Sequence, residues 1–567
     1  MNPASPSEGV DFKDIKAETP DLESVANQYH QLQAGWNAAS NANARYDVFG
    51  QWDALRRQLQ TWQSITRLRF DQDTRELERK AAREHLDRIS PKLTALEMNM
   101  KRLVFATGRA DLEPRLGPHV FALWEADLST FTPEIEADLT REAQLEVQYT
   151  ELIASAELTF EGRLLNLPGI EPCTQSPDRD TRYRAQQTKW GYFAAHASEL
   201  DRIFDEMVHL RHTIARKLGF ESFIDLAYRR MNRTDYGQRD VERYRDQVAR
   251  DIVPVAAEII SRRGKRLGVA KMMFWDESVG YPSGNPKPQG DDAWVVSRAR
   301  EVFSAVDPSV AQFYNMLTHR QLLDLTNRDG KAGGGYCTSF PTYGLPFIFA
   351  SFNGTHRDVN VLVHEMGHAF QDWQSRNLPA FDYLTPTFDT AEIHSMSMEY
   401  LTAPFLEQFF GDDAERYRRL HLEEAMLFLP YGVAIDHFQH LVYANPDATP
   451  LERHRMWQQM EAKYLHWRQY GDLVYLARGG LWQAKAHIYH VPFYYIDYTL
   501  ALCCALQFWT KSRQDYRAAV SDYLALCKRG GEASFGELVR FAKLRSPFED
   551  GSLRRVAGEA REVLASQ

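Results

Sequence analysis

The chain has 567 residues, 44% of them hydrophobic and 25% charged, with 67 basic against 77 acidic side chains and a net charge of −10. That length allows a large core divided between two or more lobes, and the acidic balance offers nucleic acid no basic face. Five cysteines are too few and odd in number for a disulfide scaffold, no basic stretch leads into an apolar run at the N-terminus, and the longest apolar segment, residues 500–508, is too short to cross a bilayer; a cytoplasmic protein with no membrane partner is expected.

Residues 1–20, rich in Pro, Ser, Glu and Asp, read as a loose arm. Helical spacing then takes over, with Phe49, Trp52, Leu55, Leu59 and Trp62 at intervals of three and four and charged heptad-like segments continuing past residue 100. A helical lobe over 21–200 followed by a second region over 201–567 is the expected division, with the lobes interleaved. Asn285–Gly290 (NPKPQG) marks a loop, and the chain shows no internal repeat. Further on, Tyr336–Phe340 and Phe347–Phe352 have strand character. Gly333, Gly334 and Gly335 precede the first of them and read as a flexible segment able to approach a ligand closely. They do not form a phosphate loop, because Lys331 is followed by Ala and the glycine spacing is wrong.

The richest stretch follows. Thr355-His356-Arg357-Asp358 is a capping box that opens a helix, and Val359, Leu362, Val363, Met366 and Phe370 give that helix an apolar stripe. On it lies His364-Glu365-Met366-Gly367-His368. Two histidines four apart project from one helix face and can converge on a single metal, with Glu365 beside them as a general base. Gly367 in mid-helix costs about 1 kcal/mol against Ala and implies that another backbone passes close by. A catalytic zinc needs a third protein ligand, for which Glu392, 24 residues beyond His368, is the leading choice. Glu392 could instead serve as the capping partner of Asp389. Glu399, two turns further on the same face, can hydrogen-bond the free ring nitrogen of a zinc-bound histidine or simply be a solvated carboxylate. His394 points to another side and reads as a packing or supporting residue.

Near the C-terminal end, Tyr495 and Tyr498 are spaced to show their hydroxyls on one helix face, with His487 and His490 just upstream. From these residues alone, an aromatic helix face packed in a core is the plainer reading. Cys337 reads as a small buried hydrophobe.

The order of these blocks resembles the thimet oligopeptidase and oligoendopeptidase F family of zinc metallopeptidases, in particular its Pz-peptidase-like bacterial branch. The blocks are Asp329-Gly330-Lys331-Ala332-Gly333-Gly334-Gly335-Tyr336-Cys337, Gly354-Thr355 running into His364–His368, Ala391–Glu399, Asp436-His437-Phe438-Gln439-His440, and Pro492-Phe493-Tyr494-Tyr495-Ile496-Asp497-Tyr498. The resemblance implies a mostly α, two-lobed helical peptidase with a small β-sheet beside the HExxH helix and a deep substrate channel, holding one zinc ion per chain. It implies Glu392 as a ligand with His364 and His368, Glu399 behind them, and Tyr498 as a catalytic tyrosine assisted by Tyr495 and by His490 or His487.

The expected activity is therefore internal cleavage of short unstructured peptides, including Pro- and Gly-rich collagen-like fragments. Gly333–Gly335, Tyr336 and His487 are the expected substrate contacts, since an edge strand can pair with an extended peptide. Two alternatives stand beside this one: a zinc exopeptidase, for which no anchoring motif for a peptide terminus is evident, and a non-catalytic peptide-binding protein, which an intact Glu365 argues against.

Overall fold

The computed structural model describes residues 10–16 and 18–565. Helices dominate, as expected from the spacing of apolar residues, and the chain divides into two compact units. Each unit is gathered from three stretches: unit 1 from Met1–Leu128, Lys287–Ala414 and Ala505–Leu544, unit 2 from Ser129–Pro286, Glu415–Cys504 and Arg545–Gln567. Residue 200, where the sequence pattern suggests a lobe boundary, falls inside the helix Ala197–Lys217 of unit 2.

Unit 1 begins with the helices Leu22–Ala38, Ala42–Gln72, Leu77–Leu116 and His119–Ser129. Asp21 and Asn41 cap the first two by accepting from Ser24 N–H and Ala44 N–H, which satisfies otherwise orphaned donors. The apolar stripe read from the sequence is buried: Phe49, Trp52, Leu55 and Trp62 pack with Trp36, Phe121 and Trp124. Gly108 is required there, since a Cβ would lie 2.3 Å from the Trp36 ring. Arg56 is buried in this layer, and it pairs with Glu97 at 2.9 Å and with both oxygens of Asp382 at 2.6 and 2.7 Å, so the charges it brings are answered by opposite ones. Residues 1–9 and 17 of the segment read as a loose arm lie outside the described residues. Its described part is seated: Ile15 is fully buried and Phe12 packs 4.5 Å from the Phe347 ring, so apolar burial overrides the polar composition around them.

A three-stranded sheet follows in unit 1. Leu345–Ala350 is central, parallel to Leu323–Asp324 and antiparallel to Gly335–Phe340, with Cys337 opposite Ile348. The central strand is buried throughout, which suits its unbroken apolar run. The helix His356–Ser375 packs on this sheet, and the helix Phe388–Thr402 packs on that helix.

Unit 2 is built around the helices Glu136–Ala154, Ala197–Lys217 and Ala414–Ala444 and the start of Tyr495–Gln514. Arg211, on the second of these helices and with no exposed surface, ties it to the first and third by donating to Glu142 at 2.6 Å and to the Tyr443 hydroxyl at 2.9 Å, and it also donates to Ile488 O at 3.4 Å. A small hairpin, Leu158–Phe160 with Arg163–Leu165, turns through Glu161 and Gly162, both at positive φ as a two-residue hairpin turn demands. Among the described residues no helix is long and apolar enough to cross a membrane, and the five cysteines are free.

Candidate metal centre and its surroundings

The helix His356–Ser375 starts where the capping box predicts. Thr355 accepts from Arg357 N–H, while Asp358 turns back to accept from the backbone of Asn353, Gly354 and Thr355, so the entry is fixed by four hydrogen-bonded backbone donors. Val359, Leu362, Val363, Met366 and Phe370 are buried, which orients the opposite face. That face shows His364 and His368, with ring centroids 5.0 Å apart.

The neighbouring helix Phe388–Thr402 can lie against it only because residue 367 is glycine. A Cβ there would meet His394 O and the Ser395 Cα at 2.6 Å, the close backbone approach expected from the sequence. This contact brings Glu392 Oε2 to 3.2 Å from His364 Nε2 and 3.5 Å from His368 Nε2, and these three donor atoms lie within 4.8 Å of one another. Thr387 is the N-cap of this helix, so Glu392 is not the capping partner of Asp389; its carboxylate is aimed by the Ser395 hydroxyl, which donates at 2.9 Å. Glu399 Oε1 lies 2.7 Å from His364 Nδ1. That hydrogen bond holds the Nδ1–H tautomer, leaving the Nε2 lone pair for a metal.

Electrostatics agree with a cation site. Burial disfavours a charged His364, yet its bonds to Glu392 and Glu399 outweigh this and hold its pKa well above the ordinary histidine value. Burial likewise opposes ionisation of Glu392, but His368 and His364 pull it well below the usual carboxylate range. The geometry thus concentrates negative potential where positive charge is wanted. Glu365 differs: it is 6% exposed, burial pushes its pKa up, and its Oε2 has no hydrogen-bond partner. His394 is fully buried with neither ring nitrogen bonded, and burial pushes its pKa down to about 3, so it is a neutral packing residue.

The glycine segment is less free than its composition suggests. Gly334 has φ +101°, but its carbonyl accepts from Ser351 N–H at 3.0 Å, and a Cβ on Gly335 would meet Val361 at 2.7 Å. Lys331, whose side chain is buried, pins the segment by donating to Asp324 Oδ1 at 2.8 Å and to Ala350 O at 2.6 Å. Only Gly333 and Gly334 face open space. Tyr336 stacks on Phe349 and donates its hydroxyl to Asp71 at 2.7 Å. Cys337 is half-buried; its backbone N–H bonds the Glu365 carboxylate, and burial raises the thiol pKa.

In unit 2, the ring of His487 lies 5.2 Å from Tyr495 and 5.9 Å from Tyr498, while Tyr495 and Tyr498 are 5.6 Å apart. His490 is turned elsewhere, with Nε2 3.3 Å from the Thr150 hydroxyl and Nδ1 3.9 Å from Glu146. Of the two histidines left open by the sequence, the structure gathers His487 with the tyrosines.

Residues 12–131 match the Peptidase M3 N-terminal domain and residues 293–558 match Peptidase family M3. The solved structure of Pz peptidase A with inhibitor 2 is 42% identical, superposes with a TM-score of 0.94, and is covered over 99% of its length by 98% of this chain. The chain belongs to peptidase family M3.

Curated relatives of this M3 peptidase are more distant. Oligopeptidase PepF of Bacillus subtilis (strain 168) is 23% identical over 37% of this chain and 31% of its own length. The chromosomal oligoendopeptidase F of Lactococcus lactis subsp. cremoris is 25% identical over 30% of this chain and 28% of its own. The aligned part is therefore about a third of each curated relative. The oligoendopeptidase F of Enterococcus faecium, 14% identical with a TM-score of 0.65 over 96% of this chain and 98% of its own, shares the fold.

Sequence reasoning about the M3 peptidase misses Lys485. Its ammonium lies 5.0 Å from the Tyr495 ring centre and 5.5 Å from that of Tyr431. Burial pushes the Tyr495 pKa up to about 12, and Lys485 pulls against that rise. A lone lysine inside an aromatic run, Trp482 to Tyr498, was the available signal.

Proposed function

We propose that this M3 peptidase is a zinc-dependent oligoendopeptidase, cleaving internal bonds of short unstructured peptides in the cytoplasm. The observation that carries the reading is the convergence of His364, His368 and Glu392 beside a buried Glu365 with an unpartnered oxygen. The donor set suits zinc: two imidazole nitrogens and one carboxylate are a common catalytic trio, and Glu399 supports the first imidazole from behind. One zinc ion per chain would be held by those three residues, polarising the peptide carbonyl and acidifying water there.

Glu365 takes a proton from the attacking water and passes it to the departing amine. Its burial raises its proton affinity, which suits a group that must both accept and release a proton near neutral pH. Glu399 keeps His364 in one tautomer and one orientation. Tyr498 and Tyr495, with His487, are assigned as donors to the tetrahedral oxyanion, supported by their clustering and by the family block in which they stand. The strand Gly335–Phe340 and the open positions Gly333 and Gly334 offer backbone to an extended peptide, a mode tolerant of sequence and closed to folded chains. Pro- and Gly-rich peptides are included in the proposed substrate range on the likeness to Pz peptidase alone, since a proline nitrogen has no N–H to give a strand ladder.

Incubating the zinc-loaded protein with a mixed peptide library and reading the products by mass spectrometry tests the proposal. Internal cleavage, unchanged when termini are acetylated and amidated, supports it; loss of cleavage on blocking either terminus would establish an exopeptidase.

A further inference from the structure

Phe493 lies between His487 and the tyrosines, fully buried, with φ +67°. Bulky side chains rarely adopt this left-handed backbone, and such residues persist only where their surroundings over-determine them. Both of its backbone polar groups are held: its N–H donates to Gln439 Oε1 at 2.9 Å, and its carbonyl accepts from Arg233 Nη2 at 2.6 Å. The same guanidinium nitrogen reaches Asp497 Oδ1 at 2.6 Å, in the first turn of the helix Tyr495–Gln514. The ring is wedged edge-on against His440 at 4.8 Å. His440 is in turn fixed by Arg245, whose Nη1 lies 2.9 Å from its Nδ1 and donates to Asp436 at 2.6 Å.

The consequence is geometric. Between the helices Ala486–His490 and Tyr495–Gln514 the chain has only residues 491–494 in which to reverse. A left-handed residue in so short a connection sets the direction of the second helix, and with it the separation of His487 from Tyr495 and Tyr498. Gln439 also sits in the family-like block 436–440, to which no chemical role has been attached.

We propose that Gln439 and Arg233 are positioning residues, holding the Phe493 turn so that His487, Tyr495 and Tyr498 keep their mutual arrangement. The inference rests on reading those side chains as oxyanion donors. Neither Gln439 nor Arg233 meets reacting atoms; each acts through the peptide units around Phe493.

The test uses the full-length zinc-loaded protein, with Gln439→Leu removing the acceptor and Gln439→Glu keeping one. Expected for Gln439→Leu is a kcat lower by about tenfold or more, a fraction of what an oxyanion donor can contribute, with KM little changed and zinc content intact. Gln439→Glu should recover most of the loss. Independently of turnover, amide hydrogen exchange should show the Phe493 N–H protected in the wild type and exposed in Gln439→Leu. Unchanged kcat in a folded Gln439→Leu protein, or a wild-type Phe493 amide exchanging as fast as an open loop, would overturn the proposal. The wild-type exchange measurement decides even if the variant does not fold. A wild type inactive on every peptide would instead overturn the assignment of function, leaving the exchange result to judge the clamp.

Discussion

The metal-type cluster of unit 1 and the tyrosine cluster of unit 2 are held together by different means. In unit 1 the geometry is local: a four-residue helical interval sets His364 and His368, and one glycine-mediated helix contact adds Glu392 and Glu399. In unit 2 it is remote: His487 meets Tyr495 and Tyr498 across a reversal whose conformation depends on Gln439 and Arg233, 54 and 260 residues away from Phe493. In a cluster of the first kind the two histidines follow from a pentapeptide and its capping box, and one close helix contact supplies the rest. One of the second kind depends on packing that no short window contains.

The largest effect should come from breaking the local cluster. Glu392→Ala removes one of three ligands, so zinc measured by elemental analysis after chelator dialysis should fall severely and peptidase activity with it. Full occupancy under those conditions would remove Glu392 from the site. Tyr498→Phe should be smaller, lowering the single-turnover rate by about a hundredfold, the size typical of one oxyanion donor, with zinc content and peptide affinity kept. An unchanged rate would make the tyrosines a core-packing face and leave unit 2 without chemistry.

Two glycines sharpen the contrast further. Gly367→Ala drives a methyl against backbone at 2.6 Å, whereas Gly432→Ala in unit 2 meets the Thr499 methyl at 2.2 Å. Side chains can yield where backbone cannot, so Gly367→Ala should cost about 1–3 kcal/mol in denaturant unfolding and weaken zinc binding, with Gly432→Ala milder and zinc-neutral. Equal costs, or normal zinc affinity in Gly367→Ala, would separate the helix contact from the metal site.

The capped helix, its apolar stripe and the close approach at Gly367 were legible because each leaves its mark within one or two turns of one helix, whereas Glu392 and Glu399, on a second helix, were singled out by their spacing from His368 and by the family-like block in which they stand. Other features were not. Ile15 is buried inside a polar segment, Lys331 pins a glycine run that composition marks as flexible, and nothing in the spacing of His487 and His490 says which one faces the tyrosines. The three-stretch assembly of each unit is likewise a product of long-range packing. The strain at Phe493 has no sequence signal, since the residue there is one that avoids left-handed backbone.

The mildest probe compares two buried acids. Glu461 of unit 2, like Glu365 of unit 1, has a raised pKa caused by burial, reaching about 7. Glu461, however, accepts from the Tyr470 hydroxyl and lies beside Arg468, whereas Glu365 Oε2 is unpartnered. A carboxyl whose folded pKa exceeds its unfolded value favours the native state below the unfolded pKa, near 4.5, and loses that contribution as pH rises toward 7. Glu461→Gln should therefore gain stability relative to wild type between pH 5 and pH 8, by about 3 kcal/mol at most, and leave peptidase activity unaltered. A stability difference that does not change with pH would contradict a raised pKa at this site.

The central claim, that Glu365 is the base of a metal site it does not help to build, is tested most directly by Glu365→Gln. Zinc content and the hydrolysis rate of a terminally blocked oligopeptide should be measured on the same samples. The account predicts zinc at the wild-type level with turnover lower by about 10²–10⁴-fold, the range for a lost general base. Turnover within a few-fold of wild type at full zinc, or zinc lost as fully as in His364→Ala, would contradict it.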